Sequence, residues 1–397
     1  MFDFKKAKER VDEVINPTHL IYSEVFSESS NNNVYIKPEN LQKTGSFKLR
    51  GAYNKLSKLD KESADKGIIT ASAGNHAQGV AFSAQKLGMK AVICMPEHTP
   101  MIKVDGTLKY GAEVVLYGAS FDECKDHALK LAEENGYTFI PPFDDLDVIE
   151  GQGTIGLEIV EELKYVDYVL VPVGGGGLIS GVAKCLKQIS PLIKVIGVEP
   201  YSARSMKEAI KQGHIVTLDG VDTIADGTAV ATVGNANYEI CKDNVDDWIT
   251  VTDEEILMSF IKLIEKHKLI AEPSGILPLA ALDKLNFFNK NVVCLVSGGN
   301  IDMSFISQLI NRGLYETGRI MRIEVEIANI PGKLQALLTE IANTKANVIS
   351  IEHDGFKEAS RFKNISVQLT LETNGMEHAK KIREVIAKKG YIIHWWN

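Results

Sequence analysis

The chain has 397 residues, which is enough for two or three domains with substantial cores. Its 45% hydrophobic content is ordinary for a globular protein, and its net charge of −8 argues against general nucleic-acid binding. No apolar segment approaches the roughly 20 residues of a membrane span, and the charged N-terminus does not look like a signal peptide. The five scattered cysteines predict reduced thiols in a cytoplasm.

Short apolar segments alternate with amphipathic ones from residue 34 to about residue 315. Strands are predicted over 34–39, 67–71, 90–95, 113–117, 137–140, 168–173, 194–198 and 292–296. Helices are predicted over 49–58, 75–87, 103–110, 121–134, 148–163 and 178–189. Nearly continuous apolar strands separated by helices favour parallel strands covered on both faces. The predicted fold class is therefore α/β with doubly wound sheets, which bind ligands at the carboxyl ends of their strands.

The pattern changes near residue 318. The order there is strand 320–328, helix 334–344, strands 346–352 and 365–371, helix 376–388 and strand 391–394, with a polar loop over 357–363. This βαββαβ order is that of a ferredoxin-like unit. We therefore expect a first region over 1–317 and a second domain over 318–397, joined by a linker over 313–318.

Lys48 follows a Gly45-Ser46 turn and is predicted in the first turn of a helix that comes after a strand and a loop. The positive end of the helix dipole and the unpaired N–H groups there lower the proton affinity of an amine. A lysine that attacks an aldehyde needs such a lowered pKa, because only the neutral amine is a nucleophile. Taken alone, the position is also compatible with a solvated surface lysine.

Two further segments lie where a strand gives way to a helix. Residues 70–79, Thr-Ala-Ser-Ala-Gly-Asn-His-Ala-Gln-Gly, place N–H groups and short polar side chains at a helix N-terminus, which suits a carboxylate. An ordinary N-cap formed by Ser72 or Asn75 is the alternative. Gly174 to Gly177 would let the backbone wrap a phosphate, or would form a tight turn. The loop lacks the motifs of NTPases and of dinucleotide-binding proteins.

Ser297 ends the last strand of the series, so its side chain is expected at the same sheet edge. In order, K-T-G-S-F-K-x-R-G, S-A-G-N-H-A-Q-G, G-G-G-G-L and S-G-G-N resemble the pyridoxal-phosphate enzymes of the tryptophan-synthase-β fold type. Within them the chain resembles the threonine/serine dehydratases, over about residues 15–315. Cysteine synthases and threonine synthases carry different lysine motifs.

The resemblance implies two lobes, with a smaller one over roughly 48–150 inserted in the larger, and pyridoxal 5′-phosphate as the cofactor. It implies that Lys48 links to the cofactor and later moves the α-proton of the substrate. The implied cofactor contacts are Phe47, Asn75 at the 3′-oxygen, Ser297 at the pyridine nitrogen, and Gly174, Gly175, Gly176, Gly177 and Leu178 at the phosphate. Ser72, Asn75 and His76 would cradle the substrate carboxylate. A hydroxyl at the pyridine nitrogen suits β-elimination.

Two departures from the family pattern are informative. Ala73 stands where related serine racemases have a second serine, which favours dehydration over racemisation. Glu199, Ala203 and Ser205 align with a divalent-cation site of those relatives, but a carboxylate is missing. We therefore expect a weak cation site at most, for a monovalent or a divalent ion. Segments 225–227 and 272–275 also resemble family segments near the active site, although ordinary turns explain them equally well.

The tail, with Ile330-Pro-Gly-Lys-Leu334 between its first strand and helix, resembles an ACT domain. Such domains bind amino acids between copies, which implies a homodimer or homotetramer and a small-molecule allosteric effector. The alternative is a purely structural dimerisation domain. Trp395-Trp396 would then form an interface patch.

These features predict a cytoplasmic lyase that converts L-threonine to 2-oxobutanoate and ammonia, and L-serine to pyruvate and ammonia. It would serve isoleucine biosynthesis or threonine catabolism. A serine dehydratase or serine racemase is the alternative among enzymes, and a non-catalytic amino-acid sensor is the alternative from another class. A nucleotide-binding protein is disfavoured, because no acidic ribose anchor follows the glycines at the expected distance.

Overall fold

A computed structural model describes residues 2–353 and 363–395 of the protein. Most of the predicted polar loop over 357–363, and the proposed Trp395-Trp396 patch with the side chain of Trp395, lie outside what is described. The chain divides into two compact units, Met1–Ile301 and Asp302–Asn397. The domain boundary expected at residues 317 and 318 stays a prediction.

The first unit contains thirteen α-helices and ten strands within the described residues. Its helices are α1 Phe4–Val11, α2 Glu24–Ser30, α3 Lys48–Leu56, α4 Lys61–Lys66, α5 Asn75–Leu87, α6 Met101–Leu108, α7 Phe121–Asn135, α8 Leu146–Glu162, α9 Gly177–Ile189, α10 Ser205–Gln212, α11 Asn235–Asn244, α12 Asp253–His267 and α13 Leu277–Ala280. Its strands are β1 Ile21–Tyr22, β2 Asn33–Pro38, β3 Ile68–Ala71, β4 Ala91–Met95, β5 Glu113–Leu116, β6 Thr138–Phe139, β7 Tyr168–Pro172, β8 Lys194–Pro200, β9 Asp247–Val251 and β10 Asn291–Val296.

These strands form two sheets. The larger sheet has the order β1-β2-β10-β7-β8-β9, and every neighbouring pair is parallel except β1 with β2. The smaller sheet has the order β5-β4-β3-β6 and is parallel throughout. The mostly parallel, doubly wound α/β fold predicted from the apolar strand pattern is therefore confirmed.

Burial explains why the central strands read as continuous apolar segments. Helices cover both faces of the large sheet, so successive side chains of β7, such as Val169, Leu170 and Val171, are all fully buried. Val169 and Val171 pack in one cluster with Ile179 and Val182 of α9. In the smaller sheet Ile68 and Ile93 pack with Val80 of α5. Each sheet thus has its own core, and loops connect the ends of its strands to the neighbouring helices.

The sequence pattern did not predict β9, β1 and several helices. The edge strand β9 begins with the exposed Asp247 and becomes fully buried only at Val251, so it lacks the apolar run of a central strand. The two-residue strand β1 is too short to show any alternation. Both lie at edges of the large sheet, and their omission leaves the interpretation of its centre unchanged.

A buried ionic cluster, Lys37, Glu39, Arg50 and Glu158, ties α3 to the large sheet and to α8. The guanidinium of Arg50 is fully buried and binds Glu39 through Nε (2.7 Å) and Nη2 (2.8 Å). It also donates to Glu158 through Nη1 at 2.5 Å and Nη2 at 2.9 Å. Lys37 Nζ completes the cluster at 2.7 Å from Glu158 Oε2. Arg50 lies two residues after Lys48 on α3. Its bidentate ion pairs therefore hold the start of that helix in place.

The second unit contains α14 Met303–Glu316, β11 Ile320–Ala328, α15 Lys333–Asn343, β12 Asn347–His353, β13 Asn364–Glu372, α16 Met376–Lys388 and β14 Ile392–Trp395. Its sheet is antiparallel, with the order β12-β13-β11-β14. Odd-numbered residues of β11, such as Ile323 and Val325, are buried and pack with Leu337 of α15 and Ile382 of α16. After α14, the predicted βαββαβ ferredoxin-like order is confirmed.

Among the described residues, no helix is both long and apolar enough to cross a membrane. All five cysteines are buried and carry free thiols.

Candidate active site

Lys48 is the first residue of α3, as the sequence predicted, and its amine lies against the segment that follows β6. The Nζ atom donates a hydrogen bond to the carbonyl oxygen of Pro142 at 2.7 Å. It also lies 5.3 Å from the centre of the Phe47 ring. A carbonyl oxygen orients an amine without adding the charge of a carboxylate. The amine is therefore positioned while it remains able to lose its proton.

Enclosure by protein lowers the pKa of Lys48 to about 8, because desolvation disfavours the ammonium form. The charge of Glu272 acts in the opposite direction and raises that pKa, but its effect is the smaller one. From the sequence, the start of the helix is the expected cause of the lowered proton affinity. In the structure the burial of the amine is the principal cause.

Asn75 begins α5 and lies at the centre of a partly buried chain of hydrogen-bonded side chains. Its Nδ2 donates to Glu272 Oε1 at 2.7 Å, and its Oδ1 accepts from Asn300 Nδ2 at 2.6 Å. The Asn300 amide also donates to the carbonyl oxygen of Thr44 at 2.8 Å. Because Glu272 and Asn300 fix both ends of the Asn75 amide, that side chain has one defined orientation beyond the end of β3.

Glu272 is a site residue that the sequence analysis did not assign. Enclosure raises the pKa of Glu272 to about 7, while the hydrogen bond from Asn75 lowers it. A Cβ atom on Gly298 would lie 2.2 Å from Glu272 Oε1, so the glycine of the S-G-G-N motif leaves room for this carboxyl group. The only sequence signal was the segment 272–275, which an ordinary turn also explained.

Ser72 and His76 lie on either side of the α5 N-terminus. Ser72 Oγ accepts from the backbone N–H of Gly74 at 3.3 Å, and the helix has no side-chain N-cap. In the first turn of α5, the first backbone hydrogen bond is donated by the N–H of Gln78 to the carbonyl oxygen of Gly74. The N–H groups of residues 75–77 precede it and form the donor end of the helix, as an anion requires. The ordinary side-chain cap considered as an alternative is absent from this turn.

The ring of His76 is engaged elsewhere. Its Nε2 lies 3.1 Å from the carbonyl oxygen of Ile140, and since a carbonyl can only accept, Nε2 carries the proton. Burial, and secondly the charge of Lys48, lower the pKa of His76 to about 3, so the ring is neutral. What His76 offers to a carboxylate is therefore its backbone N–H.

The four glycines from Gly174 to Gly177 form the turn between β7 and the start of α9. Gly176 has a φ of +97°, which favours glycine. A Cβ on Gly175 would lie 2.5 Å from the ring of Phe143, and one on Gly177 would lie 2.8 Å from the Phe143 carbonyl oxygen. Because these glycines have no side chains, Phe143 can pack directly against the loop. The N–H groups of the first turn of α9, including that of Leu178, form the donor end of the helix.

Ser297 follows the last residue of β10 and is nearly fully buried. Its carbonyl oxygen accepts from the N–H of Phe47 at 3.0 Å, and its own N–H donates to Gly275 O at 3.3 Å. The S-G-G-N motif and the lysine motif are therefore in direct backbone contact. Phe47 is itself 9% exposed and packs in the core against the large sheet, with Val171 and Leu295.

Glu199, Ala203 and Ser205 lie around the start of α10. Both carboxyl oxygens of Glu199 accept backbone N–H groups, from Met206 at 2.8 Å and Lys207 at 2.9 Å. Burial raises the pKa of Glu199 to about 8. Ser205 Oγ donates to Val230 O at 2.8 Å. No cluster of three or more histidine, cysteine or acidic residues suited to a metal occurs in the described ranges. The weak cation site stays a prediction.

The arrangement brings together an enclosed amine with a lowered pKa, a glycine loop at a helix N-terminus, a second helix N-terminus and a partly buried chain of hydrogen-bonded amides. An aldehyde could react with the amine, and a phosphate and a carboxylate could each be bound by N–H groups. Pyridoxal 5′-phosphate combines an aldehyde, a ring hydroxyl and a phosphate. The residues present therefore fit this group by their chemistry and by the space that the glycines leave.

Comparisons with known proteins agree with this geometry. A family model described as pyridoxal-phosphate dependent enzyme matches residues 11–298. The L-threonine ammonia-lyase of Thermotoga maritima is 44% identical over 392 residues, 98% of each chain. The solved structure of processed threonine deaminase isoform 2 from Solanum lycopersicum has a TM-score of 0.74 and 44% identity, covering 78% of this chain and 92% of that one. Maize serine racemase has the same TM-score at 34% identity, covering 79% and 97%.

Proposed function

The chain belongs to the family of pyridoxal-phosphate dependent enzymes, and from this premise we propose that it is an L-threonine ammonia-lyase. It converts L-threonine to 2-oxobutanoate and ammonia, and L-serine to pyruvate and ammonia. The observation that carries the proposal is the enclosed Lys48 amine at the same sheet edge as the glycine loop. Relatives bearing that activity in their names match the chain over nearly its whole length in Thermotoga maritima and Geobacter sulfurreducens.

We propose the following contacts for the cofactor. The Lys48 amine holds its aldehyde carbon, the N–H groups of Gly174 to Leu178 hold its phosphate, the amide of Asn75 faces its 3′-oxygen, and Ser297 faces its pyridine nitrogen. When bound, the pyridoxal ring withdraws electrons from the α-carbon of the amino acid and so weakens the bond to the α-proton. All of these residues lie at the carboxyl ends of strands or at the helix starts that follow them.

Lys48 supplies the proton transfer in this proposal. A pKa of about 8 leaves a useful fraction of its amine neutral near neutral pH, so Nζ can take the α-proton. The hydrogen bond to the carbonyl oxygen of Pro142 holds the amine in a defined position. Ser72 and the N–H groups at the start of α5 would hold the substrate carboxylate and so orient the α-carbon toward Nζ.

Dehydration is preferred to racemisation in this proposal because of Ala73. Reprotonation from the opposite face needs a second acid, and a methyl group at position 73 cannot supply one. Solved relatives include both threonine deaminases and serine racemases, so the overall fold does not discriminate between the two reactions.

The experiment that tests the function is turnover by the purified holoprotein. With L-threonine we expect 2-oxobutanoate and ammonia in equal amounts, and with L-serine pyruvate and ammonia, with little D-serine. If D-serine forms faster than pyruvate, the protein is a serine racemase and not an ammonia-lyase. A protein that binds no cofactor and converts neither amino acid would favour the amino-acid sensor.

The pH dependence of cofactor uptake tests the lowered pKa of Lys48 and the effect of Glu272 on it. In the apoprotein the rate of reaction with pyridoxal phosphate should rise with pH and be half-maximal near pH 8, because the neutral amine is the reactive form. Glu272 raises the pKa of Lys48, so Glu272→Gln should move the midpoint to lower pH. Stopped-flow absorbance across a pH series measures both midpoints.

The matched control is Glu239→Gln, an exposed glutamate on α11, which should leave the midpoint where it is. A parent midpoint near the ordinary lysine value, about pH 10.4, would contradict the account. So would an upward shift in Glu272→Gln.

We further propose that the ferredoxin-like tail is an ACT-like domain that binds an amino-acid effector in a cytoplasmic homo-oligomer. Its support is the βαββαβ order outside the part of the chain that the family model matches. Threonine deamination measured with and without isoleucine, valine and AMP tests it. Inhibition by isoleucine would indicate a biosynthetic enzyme, and activation by AMP a catabolic one. No response to any of the three would leave the tail a dimerisation domain.

A further inference from the structure

We infer that Asn237, on α11, is a positioning residue that fixes the distance between the two ends of the cofactor site. Its side chain joins the phosphate-binding loop to the segment that holds the Lys48 amine. The inference rests on the proposed function in that the loop is taken to bind the cofactor phosphate. Its test, however, measures cofactor binding without any amino-acid substrate.

The first contact is with the glycine loop. Asn237 Nδ2 donates to the carbonyl oxygen of Gly175 at 2.9 Å, and the N–H of Gly234 donates to the same oxygen at 3.2 Å. A trans peptide unit is planar, with its C=O and N–H pointing in opposite directions. Holding the Gly175 carbonyl toward α11 therefore turns the N–H of Gly176 toward the other side of the loop. This fixes a donor in a segment that four glycines would otherwise leave free to rotate.

The second contact is with the segment between β6 and α8. The same Nδ2 donates to the carbonyl oxygen of Phe143 at 3.2 Å. Phe143 directly follows Pro142, whose carbonyl oxygen accepts from Lys48 Nζ. The ring of Phe143 occupies the place where a side chain on Gly175 would lie. One amide group therefore connects the loop at one end of the site with the amine at the other.

Asn237 is itself held rigidly. It is fully buried, and it is the third residue of α11, whose first N–H groups are capped by Asp144. The two oxygens of Asp144 accept from Asn235 N–H and Ala236 N–H, each at 3.0 Å. Asp144 directly follows Phe143, so the segment between β6 and α8 both caps α11 and supplies the Phe143 carbonyl oxygen that Asn237 binds. A Cβ on Gly176 would lie 2.8 Å from Asn237 Cβ, which shows how closely the loop packs on it.

The remaining atom of the amide indicates a role beyond packing. Asn237 Oδ1 is buried and accepts no hydrogen bond from any described residue. An unsatisfied buried acceptor is destabilising, so a side chain that served only to fill space would be better apolar. The donor hydrogens of the amide group, which hold the two carbonyl oxygens, explain why an asparagine stands at this position.

The test compares Asn237→Leu with Asn244→Leu. Leucine branches at Cγ as asparagine does, is somewhat larger, and removes both hydrogen bonds. Asn244 is a buried asparagine on the same helix whose Nδ2 donates only to Ile240 O of its own helix, at 2.7 Å. The measurements are the dissociation constant of pyridoxal phosphate for each apoprotein and the melting temperature of each apoprotein. Asn237→Ser serves as a second variant should the leucine variant fail to fold.

We expect Asn237→Leu and Asn237→Ser to weaken cofactor binding by about 10- to 100-fold, the effect of two lost hydrogen bonds. Asn244→Leu should change it by less than about twofold, even where its apoprotein melts at a lower temperature. Equal cofactor affinities for the parent and both Asn237 variants would overturn the inference, as would an equal weakening in Asn244→Leu. A parent that turns over threonine while the Asn237 variants bind cofactor normally would refute this inference alone. A parent that binds no cofactor would refute the proposed function as well.

Discussion

Lys48→Ala is expected to lower the rate of threonine deamination at least about 1000-fold, because one residue both holds the cofactor and moves the α-proton. The visible absorbance of cofactor joined to a lysine should disappear with it. The apoprotein should stay folded, since the variant removes an amine that burial already destabilises in its charged form. Steady-state assays of 2-oxobutanoate at saturating cofactor measure the loss.

Lys43→Ala is the matched control for this variant. Lys43 lies in the same motif, five residues earlier, but its side chain is exposed. It should keep the parent rate and absorbance. If Lys48→Ala deaminates threonine at the parent rate, or if Lys43→Ala loses as much activity, Lys48 is not the catalytic lysine.

Arg50→Met should destabilise the first unit by about 3–5 kcal/mol, because it leaves Glu39 buried without its cationic partner. Lys37 still pairs with Glu158 in this variant, so the uncompensated charge resides mainly on Glu39. Denaturant unfolding of parent and variant, followed by circular dichroism, measures the difference. Adding Glu39→Gln to Arg50→Met should recover part of the loss, since it removes the uncompensated charge.

Arg312→Met provides the comparison for Arg50→Met. The Arg312 side chain is 66% exposed and pairs with Glu316 one helical turn away, so its loss should change stability by less than about 1 kcal/mol. A similarly small effect for Arg50→Met would mean that the buried cluster does not stabilise the unit. The cofactor affinity of a folded Arg50→Met protein should also fall, because α3 positions Lys48.

The parts of the site that the sequence predicted are those carried by contiguous motifs at strand ends. Lys48, the glycine loop and Ser297 follow strands of the larger sheet, whose parallel carboxyl ends meet at one edge. Asn75 follows β3 of the smaller sheet, so its hydrogen bonds to Glu272 and Asn300 are tertiary contacts that the strand pattern does not predict. Because the central strands are buried on both faces, they could be predicted as continuous apolar segments. The strand β11 of the tail is buried on one face, and its alternating pattern predicted it equally well.

The residues that the sequence did not reveal act through tertiary contacts. Asn237 occurs in a polar segment without a recognisable motif, and its proposed role depends on its hydrogen bonds to Gly175 and Phe143. Glu272 had a weak signal in its turn segment, yet its contact with Asn75 joins residues 197 positions apart. The ring of His76 points to Ile140, a direction that no spacing rule encodes. Side-chain direction and long-range pairing are properties of the packed molecule.

The most direct test of the central claim is to locate the cofactor on the chain. Borohydride treatment of the holoprotein fixes a cofactor that is covalently joined to a lysine, and peptide mass spectrometry then identifies that lysine. The account predicts a single modified residue, Lys48, and loss of threonine deamination in proportion to the modification. Modification at another lysine with Lys48 untouched, or full activity after Lys48 is modified, would contradict it.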